Sequence, residues 1–146
     1  MSSVAVVVVS YNTRSLLRDC LRSVLAAVPA EIVVVDNGST DGSVEMVRRE
    51  FPDVRLVELL DNPGYGGAAN RGIAQTSTAY VCLLNSDTLV APDAFASMAE
   101  YLDHRPDVGV LGPRLRNPDG SLQRSCYPFP SPLTALLGET RLGYLI

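Results

Sequence analysis

Residues 4–9 form an uninterrupted apolar run, after which the period of the chain changes. From residue 15 to residue 28 the apolar positions Leu16, Leu17, Cys20, Leu21, Val24, Leu25 and Val28 recur every three or four residues. Arg14, Arg18, Asp19 and Arg22 fall between them, so a strand is followed by an amphipathic helix that lies on a sheet. The alternation continues with strands predicted over residues 31–35 and 54–60 and a helix near 43–51 between them. A glycine-rich turn then precedes a short helix near 67–76 and a strand over 79–84. Pro92 is placed to open a helix reaching about His104, at the first helical position where its missing N–H costs nothing, and residues 108–111 read as a further strand. Near-continuous apolar strands separated by helices predict an α/β fold: a mainly parallel sheet sandwiched by helices on both faces. Residues 114–124 differ, because Asn117-Pro118-Asp119-Gly120 is a strong turn signal between alternating positions and predicts a hairpin. Residues 127–132 are proline-rich, and 133–146 are mostly apolar and end without a polar close.

A length of 146 residues suits one domain, which on folding buries roughly 68–70% of the surface its unfolded chain exposes. With 47% hydrophobic and 19% charged residues the chain is of ordinary globular composition, and a net charge of −4 argues against a nucleic-acid binder. All 12 basic residues are arginine, which excludes a P-loop lysine and Schiff-base chemistry. Cys20, Cys82 and Cys126 are odd in number, widely spaced and form no CxxC, so they read as small buried hydrophobes in a reducing cytosol rather than as a disulfide or zinc framework. The run 4–9 falls far short of the ~20 residues that span a bilayer, and residues 1–3 carry no basic segment, so neither a transmembrane helix nor a signal peptide is expected there.

Parallel strands share a carboxyl edge, and polar loops follow the strands in this chain. They are Ser10-Tyr11-Asn12-Thr13, residues 36–42 (DNGSTDG), residues 61–67 (DNPGYGG) and Asn85-Ser86-Asp87. Singly, Thr13, Ser39 and Asp41 are good helix N-caps and 62–67 a simple turn; together the loops converge on the edge where open α/β sheets bind ligands. Asp36 ends an apolar strand, where it can accept from a base N–H or a ribose hydroxyl or else cap the following helix. Arg71, one turn into the glycine-rich helix beside Asn70, presents several fixed donors to phosphate. Asp87 is a short carboxylate able to hold a divalent cation against a diphosphate. The only histidine, His104, sits among charged residues before a proline and reads as a surface or C-capping side chain, which leaves no serine-histidine-acid triad. Gly64-x-Gly66-x-x-Ala69 formally matches a dinucleotide fingerprint with Asp87 at the spacing of the ribose-binding acid, but it follows the third strand rather than the first.

In order, the motifs VVVSYN (7–12), VVVDNGSTDGS (33–43), DNPGYGGAANRG (61–72) and LLNSDT (83–88) resemble those of family 2 glycosyltransferases, inverting enzymes of the GT-A fold that use nucleotide-sugars. The resemblance covers nearly the whole chain. It implies that Ser10, Tyr11, Asn12, Asp36, Asn37 and Ser39 line a nucleoside pocket. It implies too that Asn62, Gly64, Gly67, Asn70 and Arg71 face the base and diphosphate, with Asn85 and Ser86 beside them. Asn85-Ser86-Asp87 matches the family's DxD-type motif, with Asp87 as ligand to Mg²⁺ or Mn²⁺. The departure is Asn85, which stands where the first aspartate is usual and leaves one carboxylate. That asparagine, and residues 113–130 with Asp119-Gly120-Ser121-Leu122-Gln123 and Pro128-Phe129-Pro130, are similar to the rhamnosyltransferase-like branch. A deoxythymidine- or uridine-diphosphate sugar donor and a saccharide or lipid-linked saccharide acceptor follow as expectations, in cell-wall or polysaccharide biosynthesis. The expected location is cytoplasmic, including a peripheral one at the inner face of the membrane. Family members usually continue into an acceptor-binding half that carries the general base. After Gly109 the only acids are Asp119 and Glu139, neither in a base motif, so the base is expected beyond Ile146. The chain is therefore expected to be a single donor-binding domain whose uncovered apolar surface allows a homo-oligomer. The alternatives are a nucleotide-sugar- or partner-binding module without turnover, and a nicotinamide-cofactor domain.

Overall fold

The computed structural model describes residues 2–125. The expectations for residues 126–146, including Cys126, the proline-rich stretch and Glu139, lie outside them. Residues up to Leu111 form one compact unit, and a second begins at Gly112.

The first unit runs β1 (Val4–Ser10), α1 (Arg14–Ala26), β2 (Glu31–Asp36), α2 (Ser43–Glu50), β3 (Arg55–Glu58), α3 (Gly64–Ile73), β4 (Tyr80–Asn85) and α4 (Ala94–Asp103). The strands make one sheet in the order β3-β2-β1-β4, and each neighbouring pair is parallel. β1 lies at the centre and is buried along its whole length, which is why its sequence does not alternate. Its even positions Val4, Val6 and Val8 pack with Leu17, Cys20, Leu21 and Val24 of α1, Met46 and Val47 of α2, and Phe95 and Ala99 of α4. Its odd positions Val7 and Val9 join Val33 and Val35 against Ala68 and Ala69 of α3. The chain turns from β1 to β2 on one side and returns from β3 to β4 on the other, so the strand order reverses between β1 and β4. In open parallel sheets the ligand crevice lies outside the carboxyl ends at such a reversal.

Where the structure departs from the sequence expectations, packing explains the difference. Residues 108–111 form no strand; Val110 is 90% exposed, and no strand among the described residues pairs with the segment. The turn after β3 is shorter than expected, because the left-handed residues Asn62 (φ 24°) and Gly64 (φ 77°) reverse the chain within a few residues and let α3 begin at Gly64. Pro92 precedes α4 rather than opening it, and Asp93 takes the N-cap. Among the described residues, helices do not cover the whole sheet. α3 packs on β1 and β2, so Tyr80, Cys82 and Leu84 pack on the α1 side while Val81 and Leu83 are 36% and 45% exposed on the other.

In the second unit Arg116 pairs antiparallel with Leu122, and the Gly120 N–H donates to the Asn117 carbonyl at 2.8 Å, the expected hairpin reduced to a single bridge. No helix among the described residues is long and apolar enough to cross a membrane.

Candidate functional site

The loops after β1 and β2 are laced together by their own polar groups. The Asn12 N–H donates to Ser39 Oγ (2.9 Å), the Thr40 N–H to Asn12 Oδ1 (2.8 Å), and the Arg14 N–H to Asp41 Oδ2 (2.8 Å). Asn12 holds this position at φ 52°, a left-handed geometry that asparagine tolerates. Asn12 and Ser39, expected to meet the nucleoside, thus spend hydrogen-bonding groups on shaping the loops. Asp41 Oδ1 also accepts from the Ser43 N–H and hydroxyl. Burial by itself would raise the Asp41 carboxyl, but hydrogen bonds from the Ser43 hydroxyl and from the Arg14 and Ser43 N–H groups outweigh it and hold the group below its usual value.

Asp36 closes β2 and is buried. Its Oδ2 accepts from the N–H groups of Gly38 (3.2 Å) and Ser39 (2.8 Å), so it organises the loop rather than capping α2. Its Oδ1 is buried with no hydrogen-bond partner, and so is Oδ1 of the neighbouring Asn37. Unpaired buried acceptors are rare, each costing about 1–3 kcal/mol, and they mark places where a ligand's donors are wanted. The Asn37 amide donates to Asn62 Oδ1 (2.7 Å), which also accepts from the Gly64 N–H (3.2 Å), so β2 fixes the entry to α3.

Along α3, Gly67 has no room for a side chain beside Pro63, and Asn70 and Arg71 are exposed. Arg71 Nη1 reaches Asp61 Oδ1 at 3.3 Å in an exposed pair of the kind worth about 0–1 kcal/mol, so it is readily released to a stronger anion. Gly72 was not singled out in the sequence, yet it sets how closely α3 approaches the sheet. A Cβ there would come within 2.8 Å of Val35 Cγ2 and closer still to Val7 Cγ1.

At the end of β4, Asn85 and Asp87 are exposed and Ser86 is buried. The Thr88 N–H donates to the Asn85 carbonyl (3.2 Å), closing the turn that carries Asp87. α1 forms its floor: the Cys20 thiol lies 3.7 Å from the same carbonyl, and Ser23 Oγ accepts from the Val90 N–H at 3.0 Å. Burial pushes the Cys20 thiol up to about 12 and raises the Cys82 thiol as well, so both behave as the small hydrophobes expected. Thr13, at the N-cap of α1, makes no side-chain cap bond; its hydroxyl lies 2.9 Å from Ser10 Oγ and 2.8 Å from Ser86 Oγ. Ser10 is itself buried, and Tyr11 beside it is half exposed.

No group of three or more His, Cys, Asp or Glu among the described residues could hold a divalent cation. A single exposed carboxylate fits the way Mg²⁺ is commonly held, through one or two carboxylates completed by substrate phosphates and water. Asp87 fits a shared site and would not make an independent one. His104 takes the C-cap of α4, with Nδ1 2.8 Å from the Glu100 carbonyl, as the sequence suggested. The fingerprint Gly64-x-Gly66-x-x-Ala69 opens α3 after β3, an edge strand away from the reversal, and so lacks the context of a dinucleotide site.

Comparison with known proteins gives a consistent result. The profile of glycosyl transferase family 2 matches residues 5–138. The N-acetylglucosaminyl-diphospho-decaprenol L-rhamnosyltransferase of Mycobacterium tuberculosis is 34% identical over 139 residues, covering 86% of this chain and 45% of that protein. Among solved structures, the mannosyltransferase PcManGT of Pyrobaculum calidifontis, in complex with GDP-Man and Mn²⁺, superposes with a TM-score of 0.64 at 31% identity over 69% of this chain and 32% of its own. S. aureus TarS in complex with UDP superposes with a TM-score of 0.62 at 25% identity over 71% and 33%. The chain spans less than half the length of the curated relative.

Proposed function

The chain belongs to glycosyl transferase family 2, and from that premise we propose that it forms the nucleotide-sugar-binding portion of an inverting glycosyltransferase, acting on a uridine- or deoxythymidine-diphosphate sugar. One observation carries the reading. Asp36 is held at the carboxyl end of β2 by the loop N–H groups and keeps a second carboxylate oxygen unpaired, ready to accept from a base N–H or ribose hydroxyl. Around it, Ser10 and Tyr11 line the nucleoside side, while Arg71 and Asp87 approach the diphosphate. A Mg²⁺ or Mn²⁺ ion bound between Asp87 and the diphosphate would stabilise charge on the leaving group. The acceptor, a saccharide free or lipid-linked, would attack the anomeric carbon through a hydroxyl that loses its proton to a carboxylate. Asp119 is engaged in its own hairpin turn: its Oδ1 accepts from the Ser121 N–H and hydroxyl, and these bonds hold its carboxyl below the usual range. General-base catalysis contributes roughly 10² to 10⁴-fold. On this reading the chain binds the donor, and residues elsewhere in the enzyme activate the acceptor.

Calorimetric titration with UDP and dTDP, set against NADH, tests the proposal. Binding of either diphosphate without binding of NADH is expected. Binding of NADH alone would return the fold to the nicotinamide reading.

A further inference from the structure

We propose that Thr13 is a positioning residue whose hydroxyl sets the place of the Asn85-Ser86-Asp87 turn relative to the nucleoside loop, and so governs metal-assisted binding of a nucleoside diphosphate. The inference rests on the donor-binding reading above and extends it to a residue that does not touch the ligand.

The geometry is a hydroxyl chain across the strand-order reversal. Ser10 Oγ lies 2.9 Å from Thr13 Oγ1, and Thr13 Oγ1 lies 2.8 Å from Ser86 Oγ. Ser10 is 1% exposed and Ser86 7%, so the bonds at both ends are shielded from water. Thr13 has one hydroxyl proton and two lone pairs, so it donates to at most one of the two serines and accepts from the other or from both. An N-cap threonine ordinarily spends its oxygen on the first turn of its own helix. Thr13 makes no such bond, and Asp41 supplies an acceptor to α1 instead, through the Arg14 N–H. The hydroxyl is therefore diverted from a local role to a contact spanning 73 positions in sequence. α1 holds the same turn from below through Cys20 and Ser23. Those contacts engage the carbonyl of Asn85 and the N–H of Val90, whereas among the described residues only the Thr13 bridge engages the side chain next to Asp87.

Loss of a partner that orients a metal ligand typically costs roughly 10–100-fold in metal affinity. Thr13→Val removes the hydroxyl at nearly constant shape, and Thr13→Ser restores it; Thr13→Ala serves if the valine variant does not fold. UDP and dTDP are titrated with and without Mn²⁺, and hydrogen exchange at the Thr88 amide is measured on the ligand-free protein. The expected result for Thr13→Val is a loss of about tenfold or more in the ratio of affinities with and without Mn²⁺, and faster Thr88 exchange, with recovery in Thr13→Ser. A full Mn²⁺ gain in both the valine and alanine variants overturns the proposal. If the unsubstituted protein gains nothing from Mn²⁺, the role given to Asp87 fails instead. Thr88 exchange then decides for Thr13: acceleration supports positioning of the turn, and unchanged exchange refutes it.

Discussion

The main-chain N–H of Arg14 donates to Asp41 Oδ2 at 2.8 Å, so the loop after β2 caps the helix after β1. The first N–H groups of a helix have no partner inside it, and an aspartate from another loop satisfies one of them here. Asp41 also accepts from the N–H of Ser43, the first residue of α2, so one carboxylate ties the starts of two helices on the ligand edge. Asp41→Ala is expected to lower stability by about 0.5–2 kcal/mol, the usual range for loss of a cap. Urea unfolding measures it; an unchanged midpoint would show that water replaces the carboxylate at no cost.

Farther along the same pair of helices, Arg18 grips Glu50 through Nε and Nη2 at 2.7 and 2.9 Å. The Arg18 hydrogen bonds, with a further one from Arg49, lower the Glu50 carboxyl from 4.5 to about 2. A carboxylate with a lowered folded-state pKa adds stability that is present above its ordinary value and lost as pH falls through the folded one. The difference in melting temperature between the unsubstituted protein and Glu50→Gln is therefore expected to be full at neutral pH and to shrink between pH 4.5 and about 2. A difference independent of pH would mean that the pairing contributes nothing through its charge.

Gly72→Ala tests the close approach of α3 to the sheet. The added methyl would collide with Val7 and Val35 in the core between them. Overpacking of this kind typically costs about 1–3 kcal/mol, although alanine favours a helix over glycine by roughly 1 kcal/mol. Net destabilisation by thermal melting is the expected outcome, and a more stable variant would show that α3 can lift without loss.

Much of this architecture was legible because burial writes itself into period. β1, β2 and α1 were readable from apolar runs and three-four spacing, and Asp36 stood out as the charge that ends the apolar run 32–35. What escaped depends on partners remote in sequence. Residues 108–111 look like a strand, but a strand also needs a neighbour, and periodicity does not supply one. Val81 and Leu83 read as doubly buried, yet α3 crosses β1 and β2 and leaves them open. Thr13 read as a cap because its local sequence allows one, while the competing partner Ser86 lies 73 positions away.

Asp36→Asn separates the two jobs of that carboxylate. The amide oxygen can keep the bonds from the Gly38 and Ser39 N–H groups, and the NH₂ then faces the position where Asp36 offers an unpaired acceptor. A hydrogen bond to a charged group is worth about 1.5–3 kcal/mol, so UDP or dTDP affinity is expected to fall roughly ten- to hundredfold, with little change in melting temperature. Equal affinity in the variant would place the nucleoside elsewhere.

On the function proposed above, Asp87 and a nucleoside diphosphate share a cation at the carboxyl edge where the strand order reverses between β1 and β4. Calorimetric titration of UDP and dTDP with and without Mn²⁺, on the unsubstituted protein and on Asp87→Ala, tests it most directly. The expected result is tighter binding with Mn²⁺ in the unsubstituted protein and loss of that gain alone in Asp87→Ala, because the ion converts repulsion between carboxylate and diphosphate into a bridge. Binding that is indifferent to Mn²⁺ in the unsubstituted protein, or an equal gain in Asp87→Ala, would contradict it.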